Sequence, residues 1–313
     1  MSKVRVCFLG TPDFALTALR ALLKDDHFEV VGVVTQPDRP AGRKMQLTPS
    51  PVKILALEKG IPVLTPESVN KDFVLEEIQK WTAEVAVVVA FGQILSTKFL
   101  NLFPAGAVNV HGSILPRWRG AAPIQRAIEN GDTESGVTLQ KVVRELDAGD
   151  LLGLRRVALD SEINAAELYE KLATLGADLL HLELMDYMRG NLAPVPQDPA
   201  GVTFAKKIDK SESLIDWSMT AEKIHNKVRA FVMGPGTYTL FGGRKLKIHQ
   251  TKVVSGNGKP GEVISASENS LVIGTGSGGL SLLTLQPESR NRMNVVEFIK
   301  SSKIQKGDQL GSP

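Results

Sequence analysis

Asn109 and His111 are the residues whose types and spacing most directly suggest chemistry. They stand two positions apart in an apolar run, residues 107–111, that ends at a Gly-Ser loop. In a β-strand, side chains at positions i and i+2 point to the same face, so the amide and the imidazole point together. At the carboxyl end of a parallel strand both would border the ligand crevice, which favours a functional interpretation over a buried core histidine.

Asp147 is a third candidate, in the segment 145–150 with the sequence ELDAGD. The segment has the composition of a turn between two strands, and such a turn can fold over the crevice of the same sheet. Taken alone, Asp147 is typical of an ordinary turn carboxylate.

The elements that would position these residues follow an α/β pattern. Short β-branched runs at 4–9, 30–34 and 85–90 alternate with amphipathic runs at 14–23 and 96–103. This alternation predicts a Rossmann-like parallel sheet with helices on its faces. We further predict a helix over 121–130, edge hairpin strands at 136–143 and 151–159, and a long helix over 165–188 that closes the domain.

A domain boundary is expected near residue 190. The chain has 313 residues, more than one hydrophobic core usually organises. Residues 190–201 contain three prolines and no apolar periodicity, as in an extended linker. We therefore predict a catalytic domain at 1–189, a linker at 190–205 and a second domain at 206–313.

The second domain is expected to be a small, basic β-barrel. After one helix at 220–231, short strands separated by Gly-rich turns continue to residue 285, as in an oligonucleotide-binding (OB) fold. Residues 206–313 carry 16 basic and 9 acidic groups, a net charge of +7, whereas residues 1–205 carry 21 and 25, a net charge of −4. This asymmetry favours a polyanionic partner for the second domain.

Composition excludes several other classes of protein. With 42% hydrophobic and 23% charged residues, the chain is typical of a globular protein. Its start does not resemble a signal peptide, no apolar run reaches membrane-spanning length, and Cys7 is the single cysteine, so we expect a cytoplasmic protein without disulfides. No Walker A or His-Glu-x-x-His sequence is present, and the turn at 10–14 lacks the Gly-x-Gly-x-x-Gly spacing of dinucleotide sites.

A long basic loop follows the second predicted strand. Residues 36–51 contain four prolines together with Arg39, Arg43 and Lys44. These cations either contact a phosphate backbone or belong to a loop that only solvent surrounds, and the sequence favours neither interpretation.

The sequence resembles the folate-dependent formyltransferases. The segments carrying the resemblance are NVHGSILP at 109–116 and ELDAGD at 145–150, with FLGTPDF at 8–14, the loop at 36–44 and IDW at 215–217 in addition. Members that formylate methionyl initiator tRNA are the most similar, since the likeness runs over nearly the whole chain. Two features depart from the family pattern: Ile114 replaces the usual leucine, and the loop after Arg43 has one basic residue fewer, which leaves the number of its phosphate contacts open.

The resemblance implies a direct formyl transfer without a metal. The amino group of methionine on initiator tRNA would attack the formyl carbon of 10-formyltetrahydrofolate, with Asn109 and His111 stabilising the oxyanion. Asp147 would act on protons, either through His111 or by taking one from the incoming ammonium. The resemblance also implies folate contacts and tRNA contacts, and no membrane partner; we expect a monomer. The implied folate contacts are Ser113, Ile114, Leu115 and Pro116, and the tRNA contacts are Arg39, Arg43, Lys44, Lys206, Lys207, Lys210, Arg244, Lys245 and Lys247.

Two alternatives remain at this point. The same three residues would serve formyl transfer to a small amine, such as glycinamide ribonucleotide or an amino sugar nucleotide, although the basic second domain argues against it. The charge asymmetry would also suit a catalytically idle RNA-binding protein, against which the intact Asn109, His111 and Asp147 argue.

Overall fold

The computed structural model describes residues 2–41 and 45–311, and the chain divides into two compact units. The first comprises residues 1–123, 134–157 and 169–205, and the second comprises 124–133, 158–168 and 206–313. The segment 190–205, predicted as a linker, is grouped with the first unit. The change of unit between 205 and 206 lies at the predicted start of the second domain.

A seven-stranded, mostly parallel sheet forms the centre of the first unit. Its order is β10-β9-β7-β6-β1-β2-β5, with β7 antiparallel to β9 and parallel to β6. The predicted parallel sheet is thus confirmed, and the two strands predicted at 136–143 and 151–159 lie at its edge as β9 and β10. The strands of this unit are β1 (Val4–Gly10), β2 (Phe28–Val34), β3 (Arg39–Ala41), β4 (Gln46–Thr48), β5 (Val63–Leu64), β6 (Val85–Val89), β7 (Ala107–His111), β8 (Arg119–Gly120), β9 (Glu134–Lys141), β10 (Leu151–Ala158) and β11 (Phe204–Ala205).

Helices follow the strands, and the amphipathic run predicted at 14–23 forms the first of them, whereas the run at 96–103 forms only the short helix 97–100. On the first of them, Phe14, Ala18 and Leu22 recur every four residues and are buried. The second begins with Pro51 after Ser50, whose hydroxyl accepts from the Lys53 N–H as an N-cap. These helices are α1 (Asp13–Lys24), α2 (Pro51–Glu58), α3 (Asp72–Lys80), α4 (Thr97–Leu100), α5 (Pro123–Glu129) and α6 (Ala165–Met188). The bounds of α6 are those predicted.

The core of the first unit contains one carboxylate away from the candidate site. Asp25, at the end of α1, is buried, and its oxygens lie 2.7 Å from His27 Nδ1 and 2.6 Å from His181 Nδ1. Burial alone would raise the pKa of Asp25, but the His27 backbone N–H and the two imidazoles outweigh it, and the pKa lies below its ordinary value.

The second unit is an antiparallel β-structure that contains nearly all of α5 and, beyond residue 206, the helices α7 and α8. Its strand order is β12-β13-β16-β15-β14, and β17 pairs with β16. Trp217, Ile224, Leu282 and Phe298 lie in its hydrophobic core. The elements are α7 (Ala221–Ala230), β12 (Thr237–Phe241), β13 (Arg244–Val254), β14 (Val263–Ser267), β15 (Ser270–Gly274), β16 (Gly279–Pro287), β17 (Met293–Asn294) and α8 (Val295–Ser302). The predicted β-rich second domain is confirmed, and the Gly-rich segment 274–279 connects β15 to β16 as a hairpin.

Within residues 2–41 and 45–311, no helix combines the length and the apolar character needed to cross a bilayer.

Candidate active site

Strand β7 presents Asn109 and His111 on one face, next to polar residues of β9. The antiparallel register pairs Asn109 with Gln140 and His111 with Thr138. Directly opposite residues of an antiparallel pair project on the same side of the sheet, so four polar side chains share one face.

Asp147 lies against this face, because the turn after β9 folds back over it. Its Oδ1 accepts from Gln140 Nε2 at 3.0 Å and from Asn109 Nδ2 at 3.4 Å. Its Oδ2 accepts from the Gly120 backbone N–H at 2.9 Å. The structure thus brings Asn109 and Asp147 together across 38 positions of sequence, and the carboxylate side chain is only 13% exposed.

The ring of His111 is held between a carbonyl and the carboxylate. Its Nε2 lies 2.9 Å from the Trp118 carbonyl oxygen, and its Nδ1 lies 3.6 Å from Asp147 Oδ2. A carbonyl oxygen only accepts, so this contact assigns a proton to Nε2 and leaves Nδ1 directed at Asp147. His111 is buried, so its Nδ1 faces the carboxylate away from bulk water.

The amide nitrogen of Asn109 carries two N–H groups, and one of them donates to Asp147. The second can donate to an oxygen of a bound substrate. Because the side chain is half-buried rather than fully enclosed, a ligand can approach it. This is the arrangement needed to stabilise a developing oxyanion.

The predicted folate segment, residues 113–116, forms a turn beside the site. The Ser113 hydroxyl donates to the Arg117 carbonyl at 2.7 Å, and the Ser113 carbonyl accepts from Thr138 Oγ1 at 2.6 Å. Ser113 and Leu115 are buried, Ile114 and Pro116 are half-buried, and the Leu115–Pro116 peptide is cis. The role of this segment in folate binding stays a prediction.

Sequence reasoning missed Gln140 and the Gly120 N–H, both of which contact the Asp147 carboxylate. A signal for Gln140 is present in the sequence, since Thr138 and Gln140 are polar residues two apart that alternate with Val137 and Leu139. The Gly120 N–H is a backbone group, and residue types carry no sign of it.

A cavity of about 780 Å³ was also missed. It includes Ala107, two residues before Asn109 on β7, and the segment 141–144 that leads to Asp147. Lys141 and Arg144 supply positive charge, and Tyr187 donates to the Ala105 carbonyl at 2.9 Å while burial raises its pKa. The remaining lining residues are Thr97, Leu100, Asn101, Phe103, Pro104, Gly106, Val142 and Val143.

Of the three basic residues predicted in the first unit for tRNA, one is described. Arg39, on β3, is exposed and lies 3.9 Å from Glu67. Arg43 and Lys44 lie outside the described residues.

The basic residues predicted in the second unit are all exposed. Lys206, Lys207 and Lys210 precede α7, and the carbonyls of the first two accept from Arg126. Arg244, Lys245 and Lys247 lie on β13.

Lys245 and Lys247 share the outer face of β13, because Leu246 and Ile248 between and beside them are buried. Lys245 Nζ sits 3.8 Å above the Tyr238 ring. We call Lys245, Lys247 and Tyr238 the basic face.

His249 continues the same side of β13. Its Nδ1 lies 3.1 Å from Arg292 Nη2, and its Nε2 lies 3.1 Å from Gln286 Oε1. Burial lowers the pKa of His249, and Arg292 and Lys247 lower it further, against the opposing effect of the hydrogen bond to Gln286. The imidazole is therefore neutral at pH 7, and the positive charge here comes from the lysines and Arg292.

Residues 3–184 match the family described as formyl transferase, and residues 207–303 match the formyl transferase C-terminal domain. The chain belongs to the formyl transferase family. A methionyl-tRNA formyltransferase of Bdellovibrio bacteriovorus is 62% identical, over 99% of this chain and 100% of the relative. Another, of Streptococcus sanguinis, is 42% identical, over 98% of this chain and 99% of the relative.

The fold of this formyl transferase is shared with solved structures at lower identity. The N-formyltransferase from Helicobacter canadensis, in complex with folinic acid and dTDP-3-aminofucose, matches with a TM-score of 0.67 and 19% identity, over 91% of this chain and 99% of that one. At such identity the likeness shows the fold alone. The family resemblance and the fold class predicted from the sequence are confirmed.

Within the described ranges, no three His, Cys, Asp or Glu side chains are grouped so that they could hold a metal ion.

Proposed function

We propose that this chain transfers the formyl group of 10-formyltetrahydrofolate to the amino group of methionine carried on initiator tRNA. The observation that carries the proposal is the cluster of Asn109, His111 and Asp147 in a chain 62% identical over its length to a methionyl-tRNA formyltransferase. The formation of formyl-methionyl-tRNA would place the protein in translation initiation, and hence in the cytoplasm. We also propose that it acts as a monomer and that residues 206–313 form the tRNA-binding domain.

The site residues take the following roles in this reaction. The methionine amine forms a bond to the formyl carbon, and the carbonyl oxygen gains negative charge that Asn109 can meet with its second amide N–H. Asp147 accepts a proton released by the attacking amine, which becomes an amide nitrogen, and a proton is delivered to N10 of tetrahydrofolate as the bond to it breaks. His111 Nδ1, 3.6 Å from the carboxylate, is the group through which such a proton can pass.

The folate part of the proposal rests on residues 113–116, which begin two residues after His111 at the carboxyl end of β7. The Ser113 carbonyl accepts from Thr138 Oγ1 at 2.6 Å, so the segment is held beside the polar face of β7 and β9. Ligands of parallel sheets bind at the carboxyl ends of the strands. We propose that Ser113, Ile114, Leu115 and Pro116 contact the folate there.

The basic face supports the tRNA part of the proposal. Exposed lysines on one face of a strand contact phosphates without reading sequence, and a tyrosine among them can stack on a base. The +7 charge of residues 206–313 supplies attraction over a longer range.

One assay, run separately with three acceptors, tests which amine the protein formylates. Purified protein receives 10-formyltetrahydrofolate with methionyl initiator tRNA, with glycinamide ribonucleotide, or with a dTDP-amino sugar, and the products are identified by mass. Formyl-methionyl-tRNA is the expected product. Formylation of a small amine without formylation of the tRNA would reverse the choice of acceptor, and tRNA binding without any product would favour the idle RNA-binding protein.

A further inference from the structure

The segment 197–205, which we call the strap, holds two different parts of the candidate site. At one end, Gln197 reaches the turn that carries Asp147. At the other, Thr203 and β11 pair with residues 118–120: Thr203 Oγ1 accepts from the Trp118 N–H at 2.9 Å, and the Thr203 carbonyl accepts from the Arg119 N–H at 2.9 Å. The strap therefore anchors two backbone groups of the site. One is the Trp118 carbonyl, which contacts His111, and the other is the Gly120 N–H, which donates to Asp147.

The Gln197 amide is the centre of these contacts. Its Nε2 donates to the carbonyls of Asp147 at 2.8 Å and Gly149 at 2.7 Å, and lies 3.3 Å from Gln140 Oε1. Its Oε1 accepts from Arg119 Nε at 3.1 Å and Nη2 at 2.9 Å.

The orientation of each amide in this group is fixed by chemistry. A guanidinium has no acceptor, so Gln197 must present its oxygen to Arg119 and its nitrogen to the turn. Gln140 must then present its oxygen to Gln197, and its Nε2 is left to donate to Asp147 Oδ1 at 3.0 Å. Hydrogen bonds thus run in one direction, from Arg119 through Gln197 and Gln140 to the carboxylate.

The turn needs such support, because its backbone is under local strain. Asp147 has a φ of 49°, in the left-handed region that residues other than glycine seldom adopt. Two residues later, a Cβ on Gly149 would overlap the Lys141 carbonyl oxygen, so the turn passes against β9 with no room for a side chain. Gln197 satisfies the carbonyls of both turn residues at once.

We propose that Gln197 is a positioning residue for formyl transfer, which orients Gln140 and holds the Asp147 turn so that the carboxylate faces Asn109 and His111. The proposal rests on the proposed function of the site. It predicts that removal of the Gln197 donor lowers turnover, while binding of the folate and of the tRNA persists.

Two substitutions separate positioning from packing. Gln197→Met keeps the side-chain volume and removes both polar functions. Gln197→Glu also keeps the shape and the contact with Arg119, but it replaces the donor with an acceptor that opposes the carbonyls of Asp147 and Gly149 and the oxygen of Gln140. Val195→Ala is the matched control, since that side chain is 58% exposed and its contact with Leu151 is between backbone groups.

The readout is kcat and KM for methionyl-tRNA and for 10-formyltetrahydrofolate, normalised to folded protein. We expect kcat to fall about ten- to hundred-fold in both variants, more in Gln197→Glu, because a displaced reacting group slows the reaction. KM should change by less than about threefold.

A purely structural glutamine would lower the melting temperature and the folded fraction of the variants, yet leave kcat per folded molecule as in the wild type. That result, in whichever of the two variants folds, would overturn the proposal. The wild-type protein run alongside tests the proposed function separately: if it formylates only the small amine, the acceptor is wrong, and kcat for the variants is then compared on that amine.

Discussion

Asp147→Asn is the substitution that most sharply separates chemistry from structure at this site. The change keeps the shape of the side chain and removes its ability to take up a proton at neutral pH. Asp147 Oδ1 faces two amide donors and Oδ2 faces the Gly120 N–H. An asparagine can keep its oxygen at only one of these positions, so its NH2 must meet an N–H at the other.

Two magnitudes follow from this geometry. If the oxygen stays with Gln140 and Asn109, the Gly120 N–H is left without its acceptor at 2.9 Å in a largely buried setting, which costs about 1–3 kcal/mol of unfolding free energy. Removal of a positioned proton acceptor lowers kcat by about 10²- to 10⁴-fold, or roughly 2.7–5.4 kcal/mol in the activation free energy. The effect on turnover should therefore exceed the effect on stability.

The assay is steady-state formylation of methionyl-tRNA with denaturant unfolding on the same preparations. Glu76→Gln on α3 is the control, since it removes an equal charge from the same unit at an exposed side chain away from the site. The control should stay within about 0.5 kcal/mol of wild-type stability and retain its kcat. A folded Asp147→Asn protein that keeps more than a tenth of wild-type kcat would refute the role assigned to the carboxylate.

Three further predictions concern other parts of the molecule. Asp25→Asn should lower the free energy of unfolding by about 1–2 kcal/mol at pH 7, and the difference from wild type should shrink below about pH 4. Folding lowers the pKa of Asp25, so the contribution of Asp25 to stability is complete above the ordinary carboxyl pKa and disappears as pH falls through the folded value. Urea titrations of both proteins at pH 7 and pH 3.5 check this. An equal difference in unfolding free energy at the two pH values would contradict it. Replacing Lys245 and Lys247 together by Gln should weaken tRNA binding. The slope of log Kd against log salt should fall by about 1 for each phosphate that the lysines neutralise. An unchanged slope would show that the basic face is not part of the tRNA site. Gly149→Ala should push the Asp147 turn away from β9 and lower kcat about tenfold or more, with tRNA affinity in a filter-binding assay unchanged; wild-type kcat would show that the close approach is dispensable.

The sequence predicts those parts of the fold that depend on local periodicity. The bounds of α6 follow from its apolar spacing, and the placement of Asn109 and His111 on one face follows from the alternation of a strand. The position of Asp147 against them is implied by family resemblance only, because residue types alone do not distinguish it from an ordinary turn carboxylate.

Other features depend on contacts between distant segments and have no local signature. Gln197 lies in a proline-rich stretch without periodicity, which is typical of a linker, yet its amide bonds to the Asp147 carbonyl 50 positions away. Arg119 stands between Trp118 and Gly120. Nothing in the sequence around it indicates that its side chain is only 8% exposed and donates to Gln197. The cavity likewise exists only once residues 97–107 and 141–144 are packed together.

One measurement tests both the role assigned to Asp147 and the choice of acceptor. It is the yield of formyl-methionine released from initiator tRNA after a single turnover. It is determined by mass for the wild type and for Asp147→Asn at equal enzyme and tRNA occupancy. We expect rapid formation of formyl-methionine by the wild type and at least about a hundred-fold slower formation by the variant. Equal rates for the two proteins, or an absence of formyl-methionine with the wild type while a small amine is formylated, would contradict the proposed reaction.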